Sequence, residues 1–266
     1  GGTLGIGVAN NFTNSTADGG FNVLTGANQL SGAVTLNANI RIGVETAASL
    51  NVSNTTTGFT GVGALLKSGG GVLTLSGNNS AWTGSTTVRG GSLVLDYASS
   101  DTTKLADTAA LTLGGSGGIT VAGVDDNVAG LTNAYGTAGG IIRLNGGTHQ
   151  EVVSATTLSQ GAHAVTRGTG TATINLNAIT RGVSAGATID FGAGSIAKTL
   201  NINASSGGIL STSGAASGAI VGAYATLNKT DWAAVTGVDI VAFTGYSDNT
   251  YSSGINTNIT LASAST

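Results

Sequence analysis

Few side chains in this 266-residue chain are able to do chemistry. It has two histidines, twelve Asp and Glu, nine Lys and Arg, and no cysteine. Without cysteine there is no disulfide, no thiolate metal site and no thiol nucleophile. His149 and His163 stand fourteen residues apart in β-like text and could share one face, with Glu151 the carboxylate nearby. A zinc site wants three or four converging donors, and that set is short. Both are read as surface or turn histidines.

Asp125 and Asp126, in AGVDDNVAG, are the adjacent carboxylate pair. Paired carboxylates serve as acid and base in glycoside hydrolysis, but β-helix glycosidases add a nearby His and a basic sugar-binding residue, which are missing here. The pair reads as a solvated turn, or at most a weak calcium contact through Asp125, Asp126 and Asn127. Gly114–Gly118, GGSGG, spells G-x-S-x-G around Ser116. A nucleophile elbow must open into a helix, whereas here ITVAG, another strand, follows. The calcium nonapeptide fails at Ile119, where Asp is required. GIG (Gly5–Gly7) and GVG (Gly61–Gly63) lack the third glycine and βαβ frame of a dinucleotide site. The N-x-S/T triplets at Asn11, Asn14, Asn51 and Asn54 follow from the abundance of those residues. Trp82 and Trp232 could stack on sugars, but packing is the commoner role. No catalytic, cofactor-binding or metal-binding residue is assigned, and no cofactor is expected.

Composition points the same way. Charged residues make up 8% and the net charge is −3, the wrong amount and sign for neutralising phosphates. Forty per cent apolar residues exclude a disordered polar tail, and no run approaches about 20 uninterrupted apolar residues, so no membrane insertion is expected. There is no Met and no signal peptide in view, which suits a mature fragment or excised module, with an exported surface protein the expected source.

The elements that hold these residues are strands. Glycine numbers 45 and proline none. Glycine between β-like runs marks turns, and a proline-free chain keeps every N–H for a ladder. A phrase of apolar–Thr/Asn–apolar followed by Gly or Ala recurs: VTLNA at Val34, LTLSG at Leu73, LTLGG at Leu111, INLNA at Ile174, LNINA at Leu200 and ITLAS at Ile259. Its starts lie 39, 38, 63, 26 and 59 residues apart, and the 225-residue span divides into eleven units of about 20. Leu75 to Leu95 is 20, and Leu95 to Leu113 is 18. This predicts an all-β β-solenoid with about 20 residues per coil, eleven to thirteen coils and a rod on the order of 55–60 Å long. Val, Leu and Ile would point inward, with Thr, Ser and Asn outward. The alternative is a β-sandwich, which also uses many short strands. TKLADTAA (103–110) and TDWAAV (230–235) could each make one helical turn at most.

The stretch LLKSGGGVLTLSGNNSAWTGSTTVRGGSLVL, residues 65–95, resembles the autotransporter-associated β-strand repeat. The matching positions are Lys67, Gly69, Gly71, Leu73 to Gly77, Trp82 to Gly84, Thr87, Val88, Gly91, Leu93 and Leu95. Residues 144–181, 186–195 and 231–248 resemble passenger regions of the same large bacterial proteins. The resemblance implies a right-handed parallel β-helix exported to the bacterial cell surface. No C-terminal membrane barrel is seen in the sequence, so it extends to a passenger segment only.

The resulting expectation is a non-enzymatic extracellular solenoid, with coils over 1–203 and irregular coils, loop or cap over 204–266. It would stack end to end, or continue into flanking repeats, as a fibre or stalk. An adhesin binding a glycan or neighbouring surface is the alternative, and a polysaccharide-cleaving enzyme is disfavoured.

Overall fold

Alternation is the local rule from which the fold grows. In Ser92–Asp96, SLVLD, Leu93 and Leu95 are buried while their neighbours are half-buried. Ala48–Val52 and Ala155–Leu158 repeat the pattern. A run with one apolar side must bury it, and here neighbouring coils supply the cover. The computed structural model describes residues 10–12, 19–114, 139–181, 186–199, 201–202, 219–248 and 257–258.

The described chain is all-β, and each coil visits three parallel faces in turn. The first face stacks β1 (Asn10–Phe12), β4 (Val34–Leu36), β7 (Phe59–Gly61) and β10 (Ala81–Trp82). The second stacks β2 (Gly19–Val23), β5 (Ile40–Val44), β8 (Leu65–Ser68), β11 (Thr86–Val88), β13 (Leu111–Leu113), β16 (Ala155–Leu158), β19 (Ala178–Arg181) and β22 (Asn201–Ile202). The third stacks β3 (Gly26–Leu30), β6 (Ala48–Val52), β9 (Val72–Leu75), β12 (Ser92–Asp96), β14 (Ile141–Asn145), β17 (Gly161–Arg167) and β20 (Ala187–Phe191). The result is a β-solenoid of about 7 turns, roughly 23 residues apart.

Inward residues form columns. On the third face Leu50, Leu73, Leu93, Ile142, Val165 and Phe191 lie over one another. Beside them run Leu30, Val52, Leu75, Leu95 and Leu144. Each such side chain, buried by its neighbours above and below, contributes roughly 1.5–3 kcal/mol. Each column also has a polar end. Asn28 precedes Leu50 and donates to Thr25 O and Gly26 O. Arg167 follows Leu144, and its guanidinium bonds Ala172 O at 2.9 Å.

Two interruptions break the regular winding. After β12 the first-face strand is missing, and residues 97–110 take its place. Asn79 N donates to Thr103 O on one side of this break, and Ser154 N donates to Ala109 O on the other. The first face resumes as β15 (Gln150–Val152), β18 (Thr173–Asn175) and β21 (Ala197–Lys198). The pairings that bracket residues 115–138, Leu111 with Thr156 and Ser92 with Ile141, are correspondingly long-range. At the far end the ladder turns antiparallel. β24 (Ala225–Leu227) continues β20 in parallel, then β25 (Asp231–Thr236) pairs antiparallel with β24 and with β26 (Asp239–Ala242). β26 in turn meets β21, and β23 (Ala219–Ile220) pairs β25. β27 (Ser247–Asp248) and β28 (Thr257–Asn258) form a separate parallel pair.

The solenoid expectation holds, and the sandwich alternative gives way to it, but the coil count does not survive. Among the described residues about seven turns stand where eleven to thirteen are expected over the chain, a wall about 34 Å tall at the usual strand spacing. The recurring phrase misled because it marks strands of all three faces: Val34 is on the first, Leu73 on the third and Leu111 on the second. Leu75 and Leu95 are true coil neighbours, whereas Leu113 pairs with Val88. TDWAAV is strand β25, not a helical turn.

Candidate functional site: the coil of residues 65–95 and the break beside it

The distinctive residues of this stretch are spent on main-chain groups of their own and the adjoining windings. Lys67, in β8, points inward where Ile42 and Val88 stand in the adjacent coils. Its side chain is fully buried. The ammonium has three donors, and three carbonyls receive them: Ser68 O at 2.8 Å, Gly69 O at 2.6 Å and Gly90 O at 3.0 Å. Burial pulls its pKa down to about 7, opposed by the Glu45 charge. Gly69 holds φ at 80°, which a side chain resists. Gly71 lies so close to Glu45 O that a Cβ would overlap it.

The asparagine and tryptophan of the coil act likewise. Asn79 is fully buried and joins three coils, accepting from Phe59 N at 2.8 Å and donating to Lys104 O at 3.1 Å. Trp82 is buried edge-on against Phe59, its ring centroid 5.6 Å away, and donates Nε1–H to Gly63 O at 2.8 Å. A Cβ at Gly84 would strike that same carbonyl.

The break in the first face holds a buried polar cluster. Glu151, in β15, is fully buried and accepts from Tyr97 OH at 2.7 Å, Lys104 N at 2.8 Å and Leu105 N at 3.2 Å. Burial raises its pKa to about 7 against those hydrogen bonds. Lys104 Nζ donates to Gly77 O and Ser100 O, both at 2.7 Å, and lies 5.3 Å from the Tyr97 ring centre. Burial lowers its pKa to about 8, opposed first by Glu151. Burial and the Glu151 charge push the Tyr97 phenol well above its ordinary value. His149 stacks on Tyr97 at 5.1 Å, and Asp101 accepts from Thr148 N, Thr148 Oγ1 and His149 N. The buried polar groups of Tyr97, Lys104 and Glu151 are turned to backbone or to one another. Chemically it is a latch that fastens residues 97–110 into the gap.

The structure separates the residues weighed from sequence. His149 lies beside β15 in the break, whereas His163 is buried in β17 on the third face, so they share no face. His163 is not a surface histidine: Gly140 N donates to Nδ1 at 3.1 Å and Nε2 faces Ser159 O at 3.0 Å. Gly61 and Gly63 are close-approach glycines against Leu36 and Ala38. Asn51 accepts from Ser76 Oγ, and Asn54 Oδ1 accepts from Thr56 N and Thr57 N. Trp232 is 39% exposed on β25. Ser116, Ile119, Asp125, Asp126 and Asn127, with Gly5–Gly7 and Asn14, lie outside the described residues. Sequence reasoning missed Tyr97 and Lys104. The signal available was fourteen residues, 97–110, without the alternation that a first-face strand shows.

Among the described residues no group of three or more His, Asp or Glu is placed to hold a metal ion, and no helix is long and apolar enough to cross a membrane. A groove of about 200 Å³ lies beside β2 and β3, lined by Phe21, Val23, Leu24, Asn28, Leu30 and Leu50. Comparison with curated proteins and with solved structures returned no match. Residues 65–95 match the family model described as the passenger-associated-transport-repeat. The coil that Lys67, Asn79 and Trp82 fasten to its neighbours is thus an autotransporter passenger repeat.

Proposed function

We propose that this chain is a non-enzymatic structural length of a bacterial surface passenger, displayed outside the cell, whose solenoid stacks end to end or continues into flanking repeats as a fibre or stalk. The supporting observation is where the repeat's polar residues are spent. Lys67, Asn79 and Trp82 all bond main-chain groups of neighbouring coils and leave no converging set free for a substrate. Parallel ladders ending in unpaired strand edges invite another strand to add, and 8% charge leaves little repulsion against it. The antiparallel ribbon of β24, β25 and β26 supports reading 204–266 as the region where regular coiling ends. Electron microscopy and fibre diffraction of the purified chain at high concentration test this reading. Filaments with an axial repeat of about 4.8 Å are expected. Monodisperse monomers at every concentration, together with a parent protein that has no further coils, would refute it.

A further inference from the structure

The second face carries hydroxyls that the protein does not use. Thr87, Thr112, Thr157 and Thr180 stand in consecutive strands, each directly over the next. Their separations along the chain are 25, 45 and 23 residues, so the rank is a product of winding rather than of a sequence repeat. All four are half-buried and face outward, while Val88, Leu111, Leu113, Leu158 and Ile179 beside them point inward.

Some other threonines of the solenoid are occupied. Thr60 Oγ1 bonds Thr35 Oγ1 at 3.1 Å, and Thr156 Oγ1 donates to Leu176 O at 2.8 Å. The four ranked hydroxyls have no hydrogen-bond partner among the described residues. Two positions earlier on the same side stand Ala110, Ala155 and Ala178, which add a row of methyl groups. None of these four strands carries a carboxylate or an aromatic ring. Arg181, at the end of β19, is turned away, with Nε on Ala187 O and its guanidinium over the Tyr224 ring.

Such a surface suits one kind of ligand. Neighbouring strands repeat at about 4.8 Å, close to the spacing of oxygen rows in hexagonal ice. A β-branched side chain is stiff at χ1, so hydroxyl and methyl are held at that spacing with little entropy left to lose. Glycan chains are gripped by aromatic faces and charged or amide groups, which this rank lacks. We propose that the threonine rank is an ice-binding surface whose ligand is the ordered water of an ice crystal face. This does not depend on the passenger reading, and neither falls with the other.

The test is inhibition of ice recrystallisation and thermal hysteresis by the purified chain, with adsorption of labelled protein to a growing ice hemisphere. The wild type is expected to adsorb and to inhibit. Thr112→Lys with Thr157→Lys should cut inhibition by at least about tenfold, a loss of 1.4 kcal/mol or more in adsorption. Thr74→Lys with Thr166→Lys, on the outer side of the third face, should leave it unchanged. If the first pair does not fold, Thr112→Ser with Thr157→Ser keeps the hydroxyls, removes the stiffening methyls and should still weaken inhibition. A folded wild type no more active than albumin would overturn the proposal, as would equal activity in rank and control variants. So would association of copies through the rank without adsorption to ice.

Discussion

Lys67 and Glu151 show how single buried charges report on this fold. Lys67 has a lowered folded pKa, about 7 against 10.5, so the unfolded chain binds more protons between those values. Its contribution is complete above pH 10.5 and is lost as pH falls through about 7. Lys67→Met should cost about 2–4 kcal/mol, since it strands carbonyls that had a partner, and should flatten the rise in stability from pH 7 to 10. Urea melts across that range read both effects. Glu151 has the opposite sign. Its folded pKa is raised to about 7 from 4.5, so its contribution is complete below 4.5 and lost as pH rises through 7. Glu151→Gln, which keeps one oxygen for Lys104 N and Tyr97 OH and gives up the acceptor of Leu105 N, should remove that decline between pH 4.5 and 7. An unchanged slope would show that the carboxyl titrates as it does in water.

At the scale of the coil, the spacing between layers is set by glycines that let one main chain touch the next. Gly71→Ala should be severe because the added methyl meets backbone, Glu45 O and Ala48 O, which cannot swing aside. Overpacking of this kind costs about 1–3 kcal/mol or more. Gly70→Ala is the matched control, since its position is exposed and its near contact is the Thr46 hydroxyl. Thermal unfolding of the two variants should differ by several degrees, and equal melting temperatures would refute the close-packing account. Trp82→Phe should keep the edge contact with Phe59 but leave Gly63 O without its donor, costing about 1–3 kcal/mol.

At the scale of the whole molecule, the solenoid is a stack in which each coil leans on its neighbours, so stability is a chain of local interfaces. Damage should therefore stay local. Ala234→Asp places a charge in the buried ribbon strand β25, where Ala234 is 1% exposed and faces Val241. Native-state hydrogen exchange should show lost protection in β20, β24 and β26, with β5, β6, β8 and β9 still protected. Uniform loss across the molecule would mean that the coils unfold as one.

The sequence by itself determined that the chain is β, that it winds as a solenoid and that residues 65–95 form a repeat. Alternating apolar runs, 45 glycines and no proline point to strands, and the recurring phrase with the resemblance of residues 65–95 favours the solenoid over the sandwich. The period could not be read correctly, because VTL, LTL and INL are interchangeable words that serve every face, and only pairing tells which strand lies over which. Tertiary structure alone decided that Lys67 is inside, that Tyr97, Lys104 and Glu151 meet across as many as 54 residues, and that four threonines line up over irregular coil lengths. The physical reason is shared. A strand's pattern fixes which side is buried, but what stands above and below depends on the chain length between stacked strands, which is 25, 45 and 23 residues along the threonine rank.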